Sequence, residues 1–227
     1  LARAVDASRA DVSLSLSAVK KLRREEVNAD APVLVAGDSY RAACTQEAER
    51  RGLLSLKDSV SALARFSAAQ NVAVLSRYKV LSPREVIARQ DILLDEYSNT
   101  LVIEAQVALE MGRTIILPVA LSWQKNLADT IKALREAGFE DDTESHAALL
   151  KKVNRHVRDF MIALDRLDEE LPRCFEIKSS AIRKAQFCRD LLVPVMAACR
   201  AEGDALEKLV DDGRWPIPKY RELLWIY

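Results

Sequence analysis

From Ser82 to Gly138 the sequence carries one uninterrupted helical periodicity, and no other stretch restricts the fold so strongly. It opens on Ser82-Pro83-Arg84-Glu85. The serine can cap an orphan N–H, proline is preset for the first helical position, and the glutamate can reach back to the cap. Leu94, Tyr97, Leu101, Ala105, Ala108, Ile115, Val119, Leu127, Ile131 and Leu134 then recur near the helical period, which gathers them toward one face. The next stop signal is Ala137-Gly138. At 1.5 Å per residue such a rod spans roughly 80 Å, more than twice the ~30 Å of a small domain, so partners must cover it. Gly112 and Pro118 disturb the run. An interior proline removes one backbone hydrogen bond and clashes with the preceding turn, which predicts a kink between Thr114 and Pro118.

Two more long helices follow. Glu140-Asp141-Asp142-Thr143-Glu144 places carboxylates where a helix begins, a capping role rather than metal binding. The next helix carries Leu150, Val153, Val157, Phe160, Leu164, Leu167 and Leu171 at alternating steps of three and four, a heptad seam expected to end at Leu171-Pro172. A loop from Arg173 to Lys178 leads to a third helix with an inner row of Ala181, Ala185, Cys188, Leu192, Val195, Cys199, Leu206 and Leu209, interrupted by Pro194 and stopped by Gly213. Upstream, Leu1 to Val27 reads as an amphipathic helix with Lys20, Lys21, Arg23 and Arg24 crowding its end. Val33 to Ala36 reads as a short strand without a neighbour, and Gly37-Asp38-Ser39 as a turn into a helix stopped by Gly52. That turn is a capped connection before it is an anion cradle, since no GxGxxG or GK[ST] pattern accompanies it. Lys57 to Phe66 and Ala68 to Tyr78 read as short helices, with Leu56, Val60 and Leu63 facing inward. The expected fold is mostly α: an elongated antiparallel bundle of long, proline-kinked helices with a small N-terminal part of helices and one strand. Its expected parts are residues 1–81, the long three-helix array 82–213 and an apolar docking tail 214–227.

Charge and residue usage narrow the function. Lys+Arg and Asp+Glu both total 34, so no net field draws the chain to nucleic acid or an anionic membrane, and neither is expected as a partner. No apolar run reaches the ~18 residues of a spanning helix. Leu1-Ala2-Arg3-Ala4 is neither a signal peptide nor a natural start, which suggests a processed product or an excised piece. Cys44, Cys174, Cys188 and Cys199 form no CxxC pair, and Cys188 and Cys199 would stand about 16 Å apart on one helix, too far for a disulfide between them. All four read as reduced, mostly buried thiols of a cytoplasmic protein. His146 and His156 are ten residues apart, without the spacing that puts two ligands on one helix face. Glu96, Glu104 and Glu110, with Arg89, Arg113 and Lys125 nearby, read as a solvated face. No catalytic, cofactor-binding or metal-binding residue is assigned. The tail is different: Trp215-Pro216-Ile217-Pro218 forces an extended entry, and the chain closes on Leu223-Leu224-Trp225-Ile226-Tyr227. Trp215, Tyr220, Leu223, Leu224 and Trp225 are candidate interface residues, docked either on their own bundle or on another subunit. From the residues alone this is a helical interaction module.

Several strings add to that reading. Gln46-Glu47-Ala48-Glu49-Arg50-Arg51-Gly52-Leu53, Val80-Leu81-Ser82-Pro83-Arg84-Glu85, Ile115-Ile116-Leu117-Pro118-Val119, Arg189-Asp190-Leu191-Leu192-Val193-Pro194 and Trp215-Pro216-Ile217-Pro218-Lys219-Tyr220-Arg221-Glu222-Leu223-Leu224, in this order, resemble the C-terminal region of type III glutamine synthetases. Leu54 and Ala36-Gly37-Asp38-Ser39 depart from the proline and the glycine-asparagine turn expected of that family. The resemblance implies a parent that makes glutamine from glutamate, ammonia and ATP with Mg²⁺ in a large assembly of stacked rings. It implies no catalytic residue here, because the family's catalytic strands and glycine loops have no counterpart in these residues. This portion would be an accessory helical domain whose partners are the catalytic domain of the same polypeptide and sister subunits. The alternative left open is a free-standing helical scaffold.

Overall fold

Side-chain hydrogen bonds set where the long rod begins. In the computed structural model, which describes residues 16–29, 42–141, 143–178 and 180–224, the Glu85 backbone N–H donates to Ser82 Oγ at 3.3 Å and the Ser82 backbone N–H donates to Glu85 Oε2 at 2.7 Å. With Pro83 in the first turn, this reciprocal pair starts the helix where the sequence predicts it. At the far end Gly138 has φ 87°, and the N–H groups of Gly138 and Phe139 donate to the carbonyls of Arg135 and Leu134 at 3.1 and 3.0 Å. A side chain would be strained in that conformation, so glycine is the residue that lets the chain leave the helix there.

Contacts divide the chain into two units, Leu1–Asp58 and Ser59–Tyr227. In the first, α1 spans Leu16–Ala29 and α2 spans Ala42–Arg50. The second helix closes at Gly52, with the Leu53 N–H donating to the Ala48 carbonyl at 2.9 Å. The strand expected at Val33–Ala36, the turn Gly37-Asp38-Ser39 and the chain before Leu16 lie outside the described residues. Leu56, expected to face inward, is exposed.

The second unit runs α3 (Ser59–Phe66), α4 (Ala69–Arg77), α5 (Pro83–Met111), a π-helical turn (Gly112–Ile116), α6 (Leu117–Glu136), α7 (Thr143–Glu176), α8 (Ala181–Phe187), a second π-helical turn (Cys188–Leu192), α9 (Val193–Glu207) and α10 (Tyr220–Leu223). Among the described residues there is no strand, and the long helices pack as the mostly α bundle that the periodicity predicts. No helix among them is long and apolar enough to cross a membrane.

The interruption expected at Pro118 is a widened turn. Leu117 donates its N–H to the Gly112 carbonyl, five residues back. Pro118, which has no N–H and whose ring would press on the carbonyl four residues before it, enters just after this wider loop. The second turn repeats the device: Val193 donates to the Cys188 carbonyl, and Pro194 follows. Each helix continues through its proline.

α7 packs on both α6 and α9, and the short connections on either side of α7 make its neighbours antiparallel. Val153, Val157, Phe160, Leu164, Leu167 and Leu171 are buried along its seam, and Leu150 is half-buried. α7 does not end at Leu171-Pro172. It continues to Glu176 because Leu171 and Cys174, on either side of the proline, are both held in the core, so packing outweighs one lost hydrogen bond in the final turn. The third long helix stops earlier than expected, at Glu207, and Gly213 belongs to the following turn. On the rod, Leu94, Ala105, Leu127 and Ile131 are buried, while Tyr97, Leu101 and Ala108 are only half-buried. Ser98 and Val102 lie deeper than these. Ser98 is tolerated there because its hydroxyl donates to the Leu94 carbonyl at 2.8 Å.

Candidate functional site

The tail acquires its geometry from Asp211. Asp211 Oδ1 accepts the Gly213 N–H at 2.8 Å, and its carbonyl accepts the N–H groups of Arg214 and Trp215 at 3.0 and 3.1 Å. This tight turn reverses the chain after α9 and puts Trp215, 9% exposed, among the core side chains. The Arg214 guanidinium carbon then stands 5.8 Å from the centroid of the Trp123 ring on α6. Farther on, the Lys219 ammonium donates to Asp212 Oδ1 and the Lys219 N–H donates to Glu222 Oε2 at 3.0 Å, tying the start of α10 back to the turn.

Of the candidate interface residues, Trp215 is therefore docked on its own bundle, with Ile217 half-buried beside it. Leu223 and Leu224 are 64% and 82% exposed. Tyr220 opens α10, but its side chain and Trp225 lie outside the described residues. Between tail and bundle is a cleft of about 340 Å³, walled by Trp215, Ile217 and Leu223 on one side and by Met111, Phe160 and Met196 on the other. The indole N–H groups of Trp123 and Trp215 are buried with no hydrogen-bond partner among the described residues. The apolar area of these rings, not their donors, holds the tail.

The other chemistry-bearing side chains are occupied by structure. His156 Nδ1 lies 2.7 Å from Glu202 Oε2, joining α7 to α9, and its Nε2 is 3.0 Å from Arg155 Nη2. Arginine only donates, so Nε2 accepts and Nδ1–H donates to Glu202, which leaves no ring lone pair for a metal. His146 sits apart, near Ser145. Arg113 reaches from the first π-helical turn to Asp168 at 2.7 Å and Asp165 at 3.1 Å on α7, so it neutralises α7 rather than the α5 carboxylates beside which the sequence placed it. Among the described residues no group of three or more His, Cys, Asp and Glu is placed to hold a metal ion.

Cys174 and Cys188 bring their Sγ atoms to 3.4 Å as free thiols, a pairing the spacing of 188 and 199 could not suggest. Burial, reinforced by the Cys174 contact, pushes the Cys188 thiol up to about 12, and burial pushes Cys199 up to about 11. Both stay un-ionised near neutrality, and the thiol is the poorly nucleophilic form. Cys44 is only half-buried. A thiol reagent at neutral pH should label Cys44 in the folded chain and reach Cys174, Cys188 and Cys199 only in denaturant. Rapid native labelling of Cys188, read by peptide mass, would contradict this burial.

The sequence family described as the glutamine synthetase C-terminal domain matches residues 18–135. A glutamine synthetase of Bacteroides fragilis (strain YCH46) is 28% identical over 211 residues, 92% of this chain and 29% of the relative. A type-3 glutamine synthetase of Dictyostelium discoideum is 27% identical over 220 residues, 95% of this chain and 30% of the relative. A glutamine synthetase of Butyrivibrio fibrisolvens is 24% identical over 207 residues, 91% of this chain and 29% of the relative. The chain spans less than a third of the length of each of these curated relatives.

Proposed function

The chain belongs to the glutamine synthetase C-terminal domain family, and from that premise we propose that it is the non-catalytic helical portion of a type III glutamine synthetase, supporting assembly or contacts between domains. The observation that carries this reading is one of proportion. Nearly the whole chain aligns with under a third of each relative, which leaves most of such a polypeptide for the chemistry. ATP-dependent amide formation needs divalent ions bridging phosphates, gripped by converging carboxylates or histidines. On this reading ATP and Mg²⁺ belong to the catalytic portion, and the partners of this chain are that portion and sister subunits in the cytoplasm. The tail is the surface offered: Trp215 anchors it, Leu223 stands at the edge of the cleft, and Leu224 presents an apolar side chain outward.

Given glutamate, ammonium, ATP and Mg²⁺, the purified chain is expected to form no glutamine above a no-protein control, and to bind the separately expressed remainder of the polypeptide. Leu224→Asp, at a position 82% exposed, should change stability by no more than about 0.5 kcal/mol yet weaken that binding about tenfold or more. Glutamine that vanishes on immunodepletion of the chain would overturn the non-catalytic role. Wild-type binding by Leu224→Asp would remove the tail as the interface. A natural polypeptide with a mass near 25.4 kDa would favour a free-standing scaffold instead.

A further inference from the structure

We infer that the groove between α3 and α5 is a docking site for a basic amphipathic helix supplied by protein outside these 227 residues. The groove has a volume of about 610 Å³. It exists because α3 turns small residues, Ser59 and Ala62, toward α5, so the two helices leave space that larger side chains would fill. Its floor is Leu63 with Leu93, Tyr97 and Leu101, the last three being one ridge of α5 at steps of four. The next ridge of α5, Glu96, Thr100 and Glu104, forms its rim. Leu93 is 40% exposed and Ile92 next to it is 64% exposed, so apolar surface extends past the groove at that end. Single exposed apolar residues are ordinary, but an apolar groove rimmed by charge marks an interaction surface.

The two carboxylates decide what fits. Among the described residues, neither Glu96 nor Glu104 has an ion-pair or hydrogen-bond partner, and no lysine or arginine lines the groove. Of the basic residues on the rod nearest these acids, Arg113 is held by Asp165 and Asp168, and Arg89 stands seven residues before Glu96. A second copy of the chain laying its own α5 here would set Glu96 and Glu104 against like charges, which repel at a close interface. A helix with apolar side chains toward Leu93, Tyr97 and Leu101 and cations toward the rim satisfies both surfaces. Eight residues of α5 separate the two glutamates, about 12 Å along the axis, so the partner carries Lys or Arg seven or eight residues apart on the edge of its apolar face. This is helix-in-groove recognition with charge fixing the register.

The groove and the tail cleft share no lining residue, so failure here leaves the proposed role of the tail standing, and the reverse. The test titrates the purified chain into two dye-labelled designed helices with the same leucine row, one carrying lysines at the specified pair of positions and one carrying glutamates there, read by fluorescence anisotropy. The lysine peptide should bind saturably at one site and the glutamate peptide should not. E96K/E104K should weaken the lysine peptide about tenfold or more and create binding of the glutamate peptide, with an unchanged melting curve, since both side chains are exposed. Ala62→Leu, which fills the groove without altering charge, should abolish binding of the lysine peptide. Equal binding of both peptides, binding of neither, or wild-type behaviour of E96K/E104K would overturn the assignment.

Discussion

Phe160→Ala is expected to lower the unfolding free energy by about 3–5 kcal/mol, measured as a shift in urea midpoint at unchanged slope. Phe160 heads the fully buried side chains by volume, and its surroundings explain why the loss should fall high in that range. Two glycines flank the ring: a Cβ built on Gly112 would lie 3.4 Å from Phe160 Cζ, and one built on Gly203 would lie 3.9 Å from Cε2. Glycine has no side chain with which to refill the space, so the cavity can close only by moving helices against each other. The same ring walls the tail cleft, so the variant should also loosen Trp215. A loss below about 1 kcal/mol, near the range of surface changes, would show that the ring is not in the core.

The second large effect is a coupling. Leu164→Ala should cost about 2–5 kcal/mol as a buried seam residue. Gly112→Ala should also destabilise, because its Cβ would come within 2.5 Å of Leu164 Cδ2, and overpacking of this kind costs about 1–3 kcal/mol. Alanine recovers up to about 1 kcal/mol of helix propensity relative to glycine, which offsets only part of that. In the Leu164→Ala background the clash is gone, and the propensity gain remains. Gly112→Ala should then be neutral or stabilising, so its sign changes with the residue opposite. A double-mutant cycle should return an interaction of about 0.5–3 kcal/mol. Strict additivity would mean that the first π-helical turn does not approach α7 this closely.

Gly138 and Gly112 show where the sequence was legible and where it was not. Ser82-Pro83-Arg84-Glu85 and Gly138 are local signals, read from a few neighbouring residues, and both ends of the rod lie where they predict. The seam of α7 is likewise local, since its spacing alone selects the buried face. Gly112, by contrast, looked like a weak point in a helix, because what requires it is Leu164, far along the chain. Pro172 read as a stop for the same reason in reverse: the contacts that carry α7 past it come from elsewhere in the core. Prolines 118 and 194 were visible as disturbances, but periodicity cannot distinguish a bend from a turn with one extra residue. The tail was legible as apolar and not as divided, Trp215 inward and Leu224 outward, because that division depends on the Asp211 turn. The acids of the α3–α5 groove were within reach. Neither Glu96 nor Glu104 has a basic residue three or four positions away, whereas helix-surface carboxylates with such neighbours are the ordinary solvated case.

The stacking of Arg214 on Trp123, next to buried Trp215, gives this fold a built-in optical reporter. Of the three tryptophans in the chain, Trp215 is buried within this short segment and half-buried Trp123 is covered by its Arg214. Lifting that segment would wet both indoles together while the helices stay wound. Emission would then move to longer wavelength without a matching loss of helical circular dichroism, so light alone distinguishes a released tail from an unfolded bundle.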